Sequence, residues 1–424
     1  MHRRYSSSNS TAMTSELGTP YLMKHLPPTL TTITALGDDL LCEIFLRLPS
    51  LPSLVRVALA CRTFLQAICS SPAFRRCFQA LHPPELLGFF IQSIYTIVPH
   101  FAPLRNCSDP DMSASVRGSD LSLTRLSEDI GSSLKWDLES FYGPYLVLIN
   151  QITAQIVAYN PLTLTLDLIP WPPIEISRSS FLEFHIIFSE EDQGVFRMVC
   201  VQHHRPQLPH VEAYIAVFST TTRKWQVLRW VETPPPPQPE DDDDIRHFYP
   251  GMPMKGFIYW KQTTRASVVA FNTTTLQFSR VDLPPLVRER YYMQSRFGHT
   301  KDGKLCMVGA DDSGAKKGML IVWVWRADDD GVEKWMLEDT FPLSKFVDAT
   351  KSSTEDDARV QVEVVIDGFV YLSIKYGAQA ESLLSLCLET AELNNLLDDA
   401  RASRAHPYLM AWPSSLVCNR QTRA

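Results

Sequence analysis

Over residues 36–82, apolar positions recur at intervals of three and four. Asp38 and Asp39 stand before the run, an N-terminal helix signal, and Leu40, Ile44 and Leu48 follow on one face with Leu41 beside them. This pattern predicts an amphipathic helix that Pro49 ends. Pro52 and Ser53 open the next helix, and Leu54, Val57, Cys61, Leu65 and Ile68 carry the spacing through a second and a third. Ser71-Pro72 interrupts, and Ala73 to Leu81 forms a last short helix. A segment of about 45 residues is marginal for a core of its own. It therefore either joins a larger core or leaves one apolar face for a partner.

Past Pro83-Pro84 the helical spacing gives way to short runs of Val, Ile, Tyr, Phe and Trp, punctuated by Gly, Asn, Asp and Pro. Leu86 to Val98 is the longest early apolar run, at 13 residues; it is too short to span a bilayer and reads as strand. IVAYNPLTLTLDLIPWPP, YIAVFSTTTRKWQVLRW and VVAFNTTTLQFSRVDLPP each read strand, polar turn, strand, and two looser copies follow. With Asn160, Ser219, Asn272, Arg326 and Glu389 as equivalent turn positions, the spacings are 59, 53, 54 and 63 residues. Glycine precedes a hydrophobic strand at KGFIYW, KDGKLCMV and IDGFVYLS, and Asp-Gly in the latter two signals a tight turn. A unit of this length holds about four strands, which suits a propeller blade. Residues 83–424 accommodate about six blades, with five or seven also compatible. The fold class is thus α+β and multidomain: a small three- or four-helix unit, then a mainly antiparallel β-propeller-like array. A two-sheet β-sandwich is the alternative.

Composition and charge narrow the function. Hydrophobic residues make up 45% of the chain, the proportion of a folded globular protein. The net charge of −7 comprises +2 over residues 1–34, +2 over 36–82 and −11 over the remainder. Acid clusters at Asp241–Asp244, Asp328–Asp330 and Glu355–Asp357 repel phosphate backbones, so nucleic acid is not an expected partner. Nine cysteines without a C-x-x-C pair imply a reducing compartment, cytoplasm or nucleus. Cys61, Cys69 and Cys77 recur every eight residues and read as small buried thiols. Residues 1–34 read as a disordered Ser/Thr-rich tail, and Thr233 to Asp244, TPPPPQPEDDDD, as a solvated loop inside the array. No membrane segment is expected.

The ordered blocks LGDDLLCEIFLRLP, SLVRVALACRTF and SPAFRR resemble the F-box, the adaptor-binding module of F-box proteins, over Leu36 to about His82. Gly37 stands where proline is commoner, and Phe64 where tryptophan is usual. YNPLT and FNTTT resemble the F-box-associated, kelch-like propellers of plant F-box proteins. The resemblance implies domains at 35–82 and 83–424, a Skp-type adaptor, and through it the cullin of a ubiquitin ligase. By motif position it places adaptor contacts at Leu36, Leu40, Leu41, Ile44, Leu48, Pro49, Leu54, Val57 and Cys61. The propeller would then present an unidentified protein target.

Catalytic signatures are scarce. The chain lacks H-E-x-x-H, G-x-S-x-G and G-x-G-x-x-G. GADDSGAKKG, from Gly309, has the glycines of a phosphate loop without the Lys-Ser/Thr that must follow them, and reads as a hairpin loop. Cys200, His203, His204 and His210 match no common zinc spacing. Tryptophans and tyrosines read as blade core. The expected function is a non-catalytic substrate receptor needing no cofactor or metal. The alternative is a propeller-fold enzyme acting on a small molecule or sugar.

Overall fold

The repeated runs form five four-stranded antiparallel sheets and one three-stranded sheet, seen in a computed structural model. It describes residue 33 and residues 36–416, apart from 94–95, 105–109, 127–134, 151, 174–181, 189–195, 204–211, 232–250, 255, 262–266, 285–286, 288–292, 312–317, 329, 351–357, 377–378, 403, 411 and 414–415. The tail 1–32 and the loop Thr233–Asp244 lie outside the described residues.

Four helices come first: α1 (Asp38–Phe45), α2 (Leu51–Ala60), α3 (Arg62–Ser70) and α4 (Pro72–Leu81). Ser50 and Ser71 cap α2 and α4, accepting hydrogen bonds from Ser53 N and Phe74 N, with proline in each first turn. The first helix stops short of the sequence expectation. Arg47 N and Leu48 N bond to Ile44 O and Phe45 O in tighter turns, so Leu48 lies beyond α1. Cys61 is extended, splitting the periodic run into α2 and α3.

Blade one contains β3 (Asp137–Tyr142), β4 (Tyr145–Asn150), β5 (Gln155–Asn160) and β6 (Thr165–Ile169). Blade two contains β7 (Leu182–Phe188), β8 (Phe196–His203), β9 (Glu212–Ser219) and β10 (Lys224–Val231). The third holds β11 (Met252–Met254), β12 (Phe257–Lys261), β13 (Ser267–Asn272) and β14 (Gln277–Asp282). The fourth holds β15 (Gln294–His299), β16 (Leu305–Ala310), β17 (Met319–Ala327) and β18 (Glu333–Pro342). The fifth holds β19 (Ala358–Ile366), β20 (Phe369–Tyr376), β21 (Gln379–Cys387) and β22 (Leu393–Ala402). The sixth joins both ends of the ring, pairing β1 (Leu86–Gln92) with β2 (His100–Pro103) on one side and β23 (Arg404–Leu409) on the other. Six blades replace the range of five to seven, and the β-sandwich is excluded. Two further helices, α5 (Pro110–Arg117) and α6 (Ser344–Asp348), lie between blades.

The turns explain the repeat. Asn160 and Asn272 each accept two backbone N–H bonds through Oδ1, starting the hairpin that joins third strand to fourth. Leu164, Arg223, Leu276 and Ala391 all have positive φ, four residues after Asn160, Ser219, Asn272 and Cys387. Cys387 is therefore the fifth-blade equivalent rather than Glu389, and the fourth-blade turn is built on Asp328, not Arg326. Strands β16 and β17, at either end of the Gly309 segment, pair antiparallel, while its residues 312–317 lie outside the described residues. Tryptophan locks neighbouring blades: Trp225 Nε1 donates to Pro170 O at 2.9 Å, and Trp335 Nε1 to Asp282 O at 2.7 Å.

Candidate functional site

The four helices build a core from Leu41, Phe45, Leu54, Ala58, Ala67, Ile68, Phe74 and Phe78. Trp412 and Leu416, from the segment after β23, complete it, and the Trp412 ring meets Phe78 edge to face at 5.9 Å. The helical segment thus joins a larger core, through the chain's own residues after β23.

The residues implied as adaptor contacts divide by burial. Leu41 and Leu54 are both 0% exposed, facing inward against α3 and α4, so they support the surface from beneath. Leu48, Val57 and Cys61 are half-buried, and Pro49 is exposed. Leu36, Leu40 and Ile44 are 36%, 55% and 38% exposed. Leu40 and Ile44, spaced by four, lie on the outer side of α1 and Leu36 just before it, apolar positions where a lone soluble module would carry polar side chains. Beside them, Glu43 and Arg47 form an exposed ion pair at 2.8 Å. Phe64 packs edge to face on Phe45 at 5.3 Å. Cys77 is exposed, and Cys61 and Cys69 are half-buried, because the eight-residue period places them on different elements with different facing.

A cavity of about 1250 Å³ runs through the ring, walled by β3, β11, β15, β19 and β23, with α2 at one end. The ends of these inner strands and the turns after β3 and β5 share the helical side. Antiparallel alternation then puts the opposite ends of the strands, with the turn between β4 and β5, on the other side.

Several ionisable groups lie in or beside the channel. In β3 the register slips between Leu138 and Ser140, so Glu139 occupies a β-bulge, which re-aims its side chain. Burial, then repulsion from Glu183, raises its carboxyl to about 7. Glu183 accepts bonds from Gly251 N and, at 2.9 Å, from Trp260 Nε1, and stands 3.1 Å from His185 Nε2. His406 is pulled down to about 3, first by burial and then by Arg404, so its imidazole is neutral. Lys261 donates to Met293 O at 2.6 Å, and burial lowers its ammonium to about 8. None of these was singled out from sequence; a bulge leaves no local signal.

Among the described residues, no group of three His, Cys, Asp or Glu is arranged to hold a metal. Cys200 is buried in β8, His203 ends that strand, and His204 and His210 lie outside the described residues. Among the described residues no helix is long and apolar enough to cross a membrane.

Fold and helical preface together define a six-bladed β-propeller carrying a helical module on one side of its ring. Residues 144–416 match the family model of the F-box protein AT5G49610-like β-propeller, and the chain belongs to that family. No curated protein matches the chain. Among solved structures it is similar to a Synechocystis apocarotenoid oxygenase, with 9% identity and TM-score 0.32 over 60% of this chain and 58% of that one. An α-L-arabinanase from Penicillium chrysogenum gives 10% identity and TM-score 0.35 over 62% and 79%. The GH93 α-L-arabinofuranosidase of Fusarium graminearum gives 12% and 0.33 over 61% and 78%.

Proposed function

We propose that the chain is the non-catalytic substrate-recognition subunit of a Skp–cullin–F-box type ubiquitin ligase, working in the cytoplasm or nucleus. The carrying observation is the exposure of Leu36, Leu40 and Ile44 on a module whose core is already complete. Apolar surface left outside a finished core is surface for a partner. A Skp-type adaptor would cover these three together with Leu48, Pro49, Val57 and Cys61, while Leu41 and Leu54 hold them in place. The kelch-like propeller of plant type would present the target on the side away from the helices.

The test is co-precipitation of a purified Skp-type adaptor with wild type and with Ile44→Asp. Losing one buried side chain costs about 2 kcal/mol, and desolvating the new carboxylate costs more, so capture should fall at least about a hundredfold. Circular dichroism should remain unchanged, because Ile44 lies outside the core. A folded Ile44→Asp protein that captures the adaptor at wild-type level would refute the docking surface.

A further inference from the structure

We propose that the part of the channel between β3 and β23 binds a small organic carboxylate, its acid group held by Arg404 and its apolar body by the apolar wall around Phe141. This inference does not depend on the ligase reading.

Glu139, Arg404 and His406 line the cavity here, beside Ser140 and Tyr142 of β3. Glu139 and His406 occupy the third positions of β3 and β23, and Arg404 begins β23. Arg404 acts electrostatically on Glu139, yet no ion pair or hydrogen bond joins either side chain to another of the described residues. His406 Nε2 is buried without a partner. The neighbouring carboxylate Glu183 is by contrast occupied by Gly251 N, Trp260 Nε1 and His185. Buried polar atoms are normally satisfied, so the partnerless His406 Nε2, with half-buried Glu139 and exposed Arg404 beside it on the same cavity, marks a place for a ligand.

An acceptor suits all three groups at once, because Arg404 can only donate, and protonated Glu139 and neutral His406 each can donate. Arg404 offers a planar fork of N–H donors, which matches the two oxygens of a carboxylate. Protonated Glu139 offers an O–H donor to the same group. A cation is disfavoured, because the guanidinium already depresses the protonation of His406. The adjoining wall carries apolar surface: Phe141 stands edge to face against His406 at 5.6 Å, and Pro144, Ala405 and Pro407 also line the cavity. An acid with an aromatic or aliphatic body fits that combination; a fully polar metabolite does not.

The bulge makes the site pH-dependent. Asp137 on the same strand, Glu183 and His185 on β7, Cys200 on β8 and Arg404 on β23 all act on Glu139. Cys200 stays a neutral thiol, because burial raises it well above its ordinary value. Ionisation of Glu139 near neutral pH adds a negative charge beside the bound carboxylate and competes for Arg404. Affinity should therefore fall as pH rises.

The experiment uses the full chain with phenylacetate and its uncharged counterpart phenylacetamide, followed by saturation-transfer NMR and calorimetry at pH 6 and pH 8. Phenylacetate should bind at least about tenfold more tightly than the amide at pH 6, and its affinity should drop about tenfold by pH 8. Arg404→Met should abolish binding of the acid, and Glu139→Gln should bind it with little change between the two pH values. Absence of phenylacetate binding at ~5 mM, or equal binding of acid and amide by the wild type, overturns the proposal. So does undiminished binding by folded Arg404→Met.

Discussion

Trp412 fastens the helical module to the propeller, and its removal should loosen one without the other. The residue is 8% exposed, sits just past β23 and packs edge to face on Phe78 of α4. Truncating such a tryptophan to alanine costs ~3–5 kcal/mol in transfer and cavity energy. Part of that is returned, because the indole N–H is buried without a partner and its removal relieves about 1 kcal/mol or more. The expected net loss is about 2–4 kcal/mol, confined to the helices. Trp412→Phe keeps the ring edge and drops the unpartnered N–H, so its cost should stay near ~1 kcal/mol. Segment-resolved native-state hydrogen exchange is the suitable assay. Amides of residues 38–81 should lose that protection in Trp412→Ala, while those of β20 and β21 keep theirs. Unchanged protection in the helices would refute the reasoning, as would an equal loss in every blade.

Glu139 carries a pH signature of its own. Its folded value of about 7 lies above the ordinary 4.5, so stability is fully present below pH 4.5 and declines as pH rises through 7. Glu139→Gln should be more stable than wild type at pH 8, by up to ~3 kcal/mol, and lose that advantage near pH 4, as read by urea unfolding. A mutant with the same advantage at both pH values would contradict the assignment. Cys200 lies well above the ordinary thiol range and Cys306 is raised to about 12, both by burial, whereas Cys77 is exposed. Native protein at pH 8 should thus label at Cys77 and remain unlabelled at Cys200 and Cys306 until unfolded, as peptide mass mapping would show. A Cβ at Gly298 would collide with Val365 backbone and side chain where β15 meets β19, whereas at Gly309 it would meet only the flexible Met293 at 3.1 Å. Gly298→Ala should cost about 1–3 kcal/mol and Gly309→Ala much less, measured by thermal unfolding; equal effects would count against the close strand approach.

The helices and hairpins were legible because their causes are local. A serine cap lies three residues from the N–H it satisfies, an Asn turn within three of its donors, and the left-handed residue four beyond the turn's start. Such short-range chemistry repeats with the blades, so spacing alone exposed the propeller and the helical face. Arg326 and Glu389 were misaligned as turn markers because the fourth- and fifth-blade turns are built on different residues at a shifted offset.

Ring closure, the filling of the helical core and the channel site were decided only in three dimensions. Phe90 pairs with His406, and Phe78 with Trp412, across more than three hundred residues. No periodicity relates such partners, and each contact is favourable only after the intervening blades have set the chain's curvature. Leu41 and Leu54 carry the same apolar pattern as Leu40 and Ile44, yet the neighbouring helices choose which pair is enclosed. Glu139 reaches the channel through a one-residue slip in strand register, and Arg404 and His406 meet it because the last strand closes beside the first complete blade. Sequence sets each element's preferences; burial, which depends on all the elements at once, assigns the faces.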